Sequence, residues 1–199
     1  MNEGKNHPLA ILGNPPAFSV PIRVGYPNLG NRERLLQRVG EMLDKRLLTN
    51  AGPFVREFEE KIAELVGVKY CIAVCNATLG LQIAARVLDL SGEVIVPAFT
   101  FIATPHALEW QKITPVFCDI DPSTHNIDPW KIETLITSQT SGILGVHVWG
   151  RACQVDLMRE IADRHNLRLL YDAAHALGCS YQGEMIGNFG DMEVISFHA

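Results

Sequence analysis

The chain has 199 residues, 47% hydrophobic and 20% charged, enough to bury a substantial core without metals or disulfides. Its 17 basic and 22 acidic side chains leave a net charge of −5 with no basic stripe, which argues against nucleic acid and anionic membrane surfaces as main partners. No apolar run has the length of a membrane span, and no signal-peptide pattern opens the chain. The five cysteines (Cys71, Cys75, Cys118, Cys153 and Cys179) form no C-x-x-C pair, so a cytoplasmic protein is expected.

Residues 1–21 carry four prolines and little periodicity, which predicts an N-terminal arm, with residues 22–199 as the globular part. From Asn31, a capping residue, Leu35, Leu36, Val39, Met42, Leu43 and Leu47 recur at helical spacing. The stretch Thr49 to Pro53 breaks that helix. Pro53 suits the first turn of a second one, with Phe54, Phe58, Ile62 and Leu65 on its apolar face and Gly67 at its end.

Beyond Gly67 strands and helices alternate. Strand-like runs are Lys69–Val74, Glu93–Val96, Pro115–Cys118, Ser141–Val148, Leu167–Tyr171 and Glu193–Phe197. The helical candidates between them are Leu79–Leu88, Ile102–Trp110, Pro129–Ile136 and Val155–His165. Short β-rich runs separated by helices of about ten residues predict βαβ units and a mostly parallel sheet flanked by helices, an α/β fold.

Two places could carry chemistry. Cys75-Asn76-Ala77-Thr78-Leu79-Gly80 joins a strand to a helix, and small polar residues there leave backbone N–H groups open to an anion. It is neither G-x-G-x-x-G nor a Walker A loop, so dinucleotides and ATP are disfavoured; Asn and Thr at such a turn also serve simply as caps. The run Leu167–Tyr171 delivers Asp172 at its carboxyl end, where ligands of parallel sheets sit, with His175 three residues on. A helix cap or salt-bridge partner is the bland alternative for Asp172, and a structural histidine for His175. A metal hydrolase could draw on Asp119, Asp121, His125, His147, Asp172, His175 and His198, but no zinc-site spacing is present. A serine hydrolase lacks its G-x-S-x-G elbow.

The order of these pieces is more specific than any one of them. The anion turn is followed by Val96-Pro97-Ala98-Phe99-Thr100-Phe101, then by Pro115-Val116-Phe117-Cys118-Asp119-Ile120-Asp121-Pro122, Asn126-Ile127-Asp128-Pro129 and His147-Val148-Trp149-Gly150. Asp172-Ala173-Ala174-His175, Gly187-Asn188-Phe189-Gly190-Asp191 and Ser196-Phe197-His198-Ala199 complete the series. From about Ile22 onward this resembles the DegT/DnrJ/EryC1/StrS aminotransferases, pyridoxal-phosphate enzymes of fold type I that act on nucleotide-linked keto sugars.

The resemblance implies roles for particular residues. Ala77, Thr78 and Leu79 would cradle the phosphate of pyridoxal 5'-phosphate, with Ser196 as a further contact. Phe101 would cover one face of the ring, Asp172 would pair with the ring nitrogen, and His175 would reach the 3-oxygen. It further implies glutamate as amino donor, a homodimer, and helices between Asn31 and Val66 that are partly interfacial. The Schiff-base lysine of the family would fall two residues past Ala199, and none of Lys5, Lys45, Lys61, Lys69, Lys112 or Lys131 stands in its place. The resemblance therefore implies a large domain without the small carboxyl-terminal domain, inactive on its own. The alternatives are a non-catalytic fragment, a partner subunit of a split enzyme, or part of a related sugar dehydratase. Tyr171 stands where the family is often acidic, and Asn-Ala-Thr replaces the commoner Ser-Gly-Thr at the anion turn.

Overall fold

The computed structural model describes residues 9–21 and 29–198. Residues 1–8 of the expected arm, 22–28 at the start of the expected globular part, and Ala199 lie outside the described residues. The chain divides into two compact units, one ending at Arg46 and one covering Leu47–His198.

The first unit holds a 3-10 turn, Ala10–Leu12, and helix α1 (Arg32–Lys45). Asn31 starts α1 by accepting the Arg34 N–H at 2.9 Å on its side chain, and Arg46 stops it in the left-handed region at φ 54°. No residue of α1 is buried within the chain; Leu35, Leu36, Val39 and Leu43 form an exposed apolar stripe.

In the second unit, α2 (Pro53–Val66) opens on Pro53 and closes at Gly67, which sits at φ 84° and returns its N–H to the Ala63 carbonyl. There follow α3 (Ala77–Val87), β1 (Glu93–Pro97), α4 (Ala103–Glu109), β2 (Thr114–Cys118) and α5 (Pro129–Ile132). β3 (Thr140–Val146), α6 (Val155–Arg164) and β4 (Arg168–Ala173) come next, then a hairpin of β5 (Ser180–Tyr181) and β6 (Glu184–Met185), and finally β7 (Met192–Ile195). The main sheet has the order β2-β1-β3-β4-β7, and every neighbouring pair in it is parallel. This is the expected α/β architecture.

Both faces of the sheet are covered, which is why its strands read as continuous apolar runs. Val94, Val96, Leu144, Val146, Leu170 and Val194 join Leu81, Ala84, Ala107 and Leu108 of α3 and α4 in one core. The alternate residues Ile95, Ile143, Leu169 and Tyr171 join Met158 and Ile161 of α6 in another. Gly145 makes room for the second core: a Cβ there would lie 2.6 Å from Tyr171 Cε1.

Some expectations are corrected. Lys69–Val74 is not a strand, although it keeps the alternation of one. Tyr70, Ile72 and Val74 are exposed while Cys71 and Ala73 are half-buried. Without a neighbouring strand among the described residues, the Ala73 N–H turns instead to the Glu59 carboxylate at 2.8 Å. β3 ends at Val146, two residues short of the expected limit, and β7 ends at Ile195 rather than Phe197. The predicted helix Pro129–Ile136 is a single α-turn continued by a 3-10 turn, Glu133–Leu135. Among the described residues, no helix is long and apolar enough to cross a membrane.

Candidate functional site

The carboxyl ends of β1, β3, β4 and β7 form one rim of the sheet, and Asp172 stands on it near the end of β4, 6% exposed. Its Oδ2 accepts the Thr104 hydroxyl at 2.7 Å, and its Oδ1 accepts the Ala174 N–H at 3.1 Å. Thr104, itself fully buried on α4, is in turn 2.8 Å from the Thr100 hydroxyl. Among the described residues no lysine or arginine pairs with Asp172. Burial pushes its carboxyl above the usual carboxylate range, while the Thr104 hydroxyl, the Ala174 N–H and the charge of His175 pull the other way. Its two hydrogen bonds are thus to a hydroxyl and one amide, which offset part of the cost of burying the carboxylate. It is not a helix cap of the bland kind.

The amino end of α3 approaches the same rim. A Cβ at Gly80 would come within 2.9 Å of Val194 Cγ1, and Val194 lies opposite Asp172 in the sheet. Asn76 caps α3, its side chain accepting the Leu79 N–H at 2.8 Å. The Leu79 N–H is thus spent locally, whereas those of Ala77 and Thr78 have no acceptor among the described residues, so two open donors point out of a helix amino end. Ser196 follows β7 directly, its hydroxyl accepting the His198 N–H at 3.2 Å. Phe101, 72% exposed, lies between the end of β1 and α4.

His175 is exposed, and its Nδ1 accepts the Trp149 N–H at 3.3 Å. Whenever the ring is neutral its proton therefore sits on Nε2, which has no acceptor among the described residues.

Behind Asp172, on the opposite face of the sheet, lie groups that the sequence did not single out for this site. His147 donates its backbone N–H to the Asp172 carbonyl at 3.1 Å and stacks on the Tyr171 ring, centroids 4.5 Å apart. Its Nδ1 accepts the Cys153 N–H at 3.0 Å, so Nε2 bears the proton and faces Glu193 Oε2 at 3.8 Å, too far for a hydrogen bond. Burial holds the imidazole down at about 4, so the contact joins a neutral ring to a carboxylate and is not an ion pair. Burial pushes the Glu193 carboxyl up, against the N–H groups of Phe189, Gly190 and Gly187. Among the described residues, no group of three or more His, Cys, Asp or Glu is placed to hold a metal ion. Thr104 could have been noticed as a polar residue on an apolar helix; Glu193 carried no sequence signal.

These elements define a parallel α/β protein with a buried carboxylate on the rim of its sheet and the amino end of a helix beside it. Residues 30–199 match the DegT/DnrJ/EryC1/StrS aminotransferase family, and the chain belongs to it. The enzymes of this family are pyridoxal-phosphate-dependent aminotransferases.

The chain is 41% identical over 162 residues to the dTDP-4-amino-4,6-dideoxy-D-glucose transaminase of Escherichia coli, covering 81% of this chain and 44% of that one. It is 40% identical over 178 residues to the GDP-perosamine synthase of Caulobacter vibrioides, covering 88% and 47%. In structure it resembles DesI, crystallised in the presence of its TDP-sugar product, with a TM-score of 0.90 at 54% identity over 96% of this chain and 48% of that one. The chain thus spans about half the length of the relatives it matches.

Proposed function

We propose that this chain is the cofactor-binding part, residues 22–199, of a cytoplasmic pyridoxal-phosphate-dependent aminotransferase that acts on nucleotide-linked keto sugars, with glutamate as amino donor. The single observation that carries the reading is the buried carboxylate of Asp172, which pairs with no lysine or arginine among the described residues and fits a protonated ring nitrogen. Bound there, pyridoxal phosphate supplies the electron sink for amino-group transfer.

The residues of the chain then do separate work. The Asp172 carboxylate holds the proton on the ring nitrogen, because opposite charges favour each other's ionised form. Thr104 orients that carboxylate through its hydroxyl. The open N–H groups of Ala77 and Thr78, with the Thr78 and Ser196 hydroxyls, bind the phosphate. A phosphate oxygen reaching Leu79 would have to displace the Asn76 cap. Phe101 covers one face of the ring and excludes water from it. The Nε2–H of His175 donates to the 3-oxygen.

Among the described residues no lysine forms an ion pair with Asp172; Lys61 is tied to Glu57 and Lys131 to Asp119, and Lys69 lies over the Tyr70 ring. The assembly that goes with this reading is a homodimer or a complex with a partner polypeptide. The exposed apolar stripe of α1 and the row Tyr70, Ile72 and Val74 support such an assembly.

Equilibrium dialysis of pyridoxal phosphate against the 199-residue chain tests the reading. Non-covalent binding is expected, weakened at least ten-fold, about 1.4 kcal/mol, by Asp172→Asn. Equal binding by the variant removes Asp172 from its role. A pyridoxyl-lysine found by mass spectrometry after borohydride treatment overturns the claim that no lysine is in place.

A further inference from the structure

Three aromatic rings meet on the rim beside the candidate cofactor site, and nothing so far accounts for them. Phe99 follows β1, His125 follows β2, and Trp149 follows β3. Their centroids are 5.9 Å apart for Phe99 and His125, 5.7 Å for Phe99 and Trp149, and 5.4 Å for His125 and Trp149. A buried core cluster would hide these rings, yet Trp149 is 68% and Phe99 42% exposed.

Two of the three sit on unfavourable backbone. His125 has φ 63° and Trp149 φ 52°, the left-handed region, whose cost for a bulky side chain must be offset by the contacts around it. Asn126, 3% exposed, supplies such contacts. Its side chain accepts the Val148 N–H at 3.0 Å and donates to the carbonyls of Arg151 at 3.0 Å and Ala152 at 2.9 Å. Arg151 adds a bond to the Ser123 carbonyl at 3.0 Å. The loop that carries His125 is thereby stitched to the loop that carries Trp149. Rings carried on loops that a buried amide ties together, and left exposed to solvent, are organised for a ligand, because packing alone gains little from them there.

The neighbourhood limits what that ligand is. The Trp149 N–H bonds His175, and Thr100, next to Phe99, reaches Asp172 through Thr104. The cluster therefore adjoins the place where amino transfer occurs under the function proposed above, on which this inference rests. In a nucleotide-linked sugar the hexose carries the reacting carbon, and the base lies beyond a diphosphate. We infer that Phe99, His125 and Trp149 form a preorganised platform for the hexose ring, whose apolar C–H face lies on the aromatic surface while its hydroxyl edges stay wet.

The test uses the full chain with Trp110→Phe and Trp130→Phe, which leaves Trp149 as the single tryptophan. Its emission is followed as dTDP-glucose, UDP-glucose and GDP-mannose are added, each compared with its free nucleoside diphosphate. At least one nucleotide-hexose is expected to change the emission at concentrations where the free nucleotide does not. In parallel, calorimetry with Trp149→Ala and Phe99→Ala is expected to show that hexose-bearing ligand bound at least ten-fold more weakly, with the free nucleotide unaffected. Trp149→Phe, which keeps a ring, restores part of the loss and separates stacking from misfolding.

Nucleotide-hexose binding that neither variant weakens overturns the platform and leaves the proposed function standing. Pyridoxal phosphate binding without any nucleotide-hexose binding overturns the platform together with the sugar half of that proposal. Self-association of the chain that Trp149→Ala abolishes, with no sugar effect, makes the rings the seat of a second copy and overturns the inference.

Discussion

Single residues set the electrostatics of this rim. His147 has no exposed side-chain surface, and burial holds its imidazole at about 4 against 6.5 when unfolded. The unfolded chain binds the proton more readily in that interval, so the stabilisation is complete above pH 6.5 and is lost as pH falls toward 4, by about 3 kcal/mol. Asp172 and Glu193 act in the opposite sense, because burial raises both carboxyls and the native state then binds their protons more readily. Chemical denaturation of wild type and His147→Asn across pH 4–7.5 isolates the histidine. The wild type is expected to lose stability more steeply than the variant on acidification, and parallel curves contradict the burial argument.

Elements come into register here through the absence of side chains as much as through their presence. Gly145 on β3 would bring a Cβ to 2.6 Å from Tyr171 Cε1 and 2.9 Å from Met158 Cε, so Gly145→Ala is expected to cost about 1–3 kcal/mol through overpacking. Because Tyr171 precedes Asp172 on β4, the same change should also loosen pyridoxal phosphate. Gly40, inside α1 with nothing within 4 Å of an added Cβ, predicts the opposite sign: Gly40→Ala should stabilise α1 by up to about 1 kcal/mol. Urea denaturation of the two variants checks both signs. Which elements exist was legible in the sequence, because period and capping are local: Asn31, Pro53 and Gly67 mark the helix ends where expected. The run Lys69–Val74 was misread for the converse reason. Its alternation is strand-like, but a strand also needs a neighbour, and no property of those six residues supplies one.

At the scale of the whole molecule, the parallel α/β architecture was readable from the strand–helix alternation, and Asp172 from its place at the end of an apolar run. What surrounds Asp172 was not. Thr104 lies 68 positions away and meets it only because the amino end of α4 reaches the rim at Asp172; His147 and Glu193 come together across three strands; Asn126 reaches forward 22 to 26 residues. Such contacts follow from strand order, which periodicity does not encode.

That strand order also distributes rigidity across the rim. β4, which carries Asp172, is flanked by β3 and β7, whereas among the described residues β7 pairs only with β4 and Ser196 lies just beyond its end. Amide exchange in deuterated solvent should therefore be slowest in β3 and β4 and faster in β7 and the first turn of α3, with uniform protection across all four counting against this. The side of the rim that bears Asp172 is then the fixed anvil, and the side formed by β7 and the start of α3 the more yielding one.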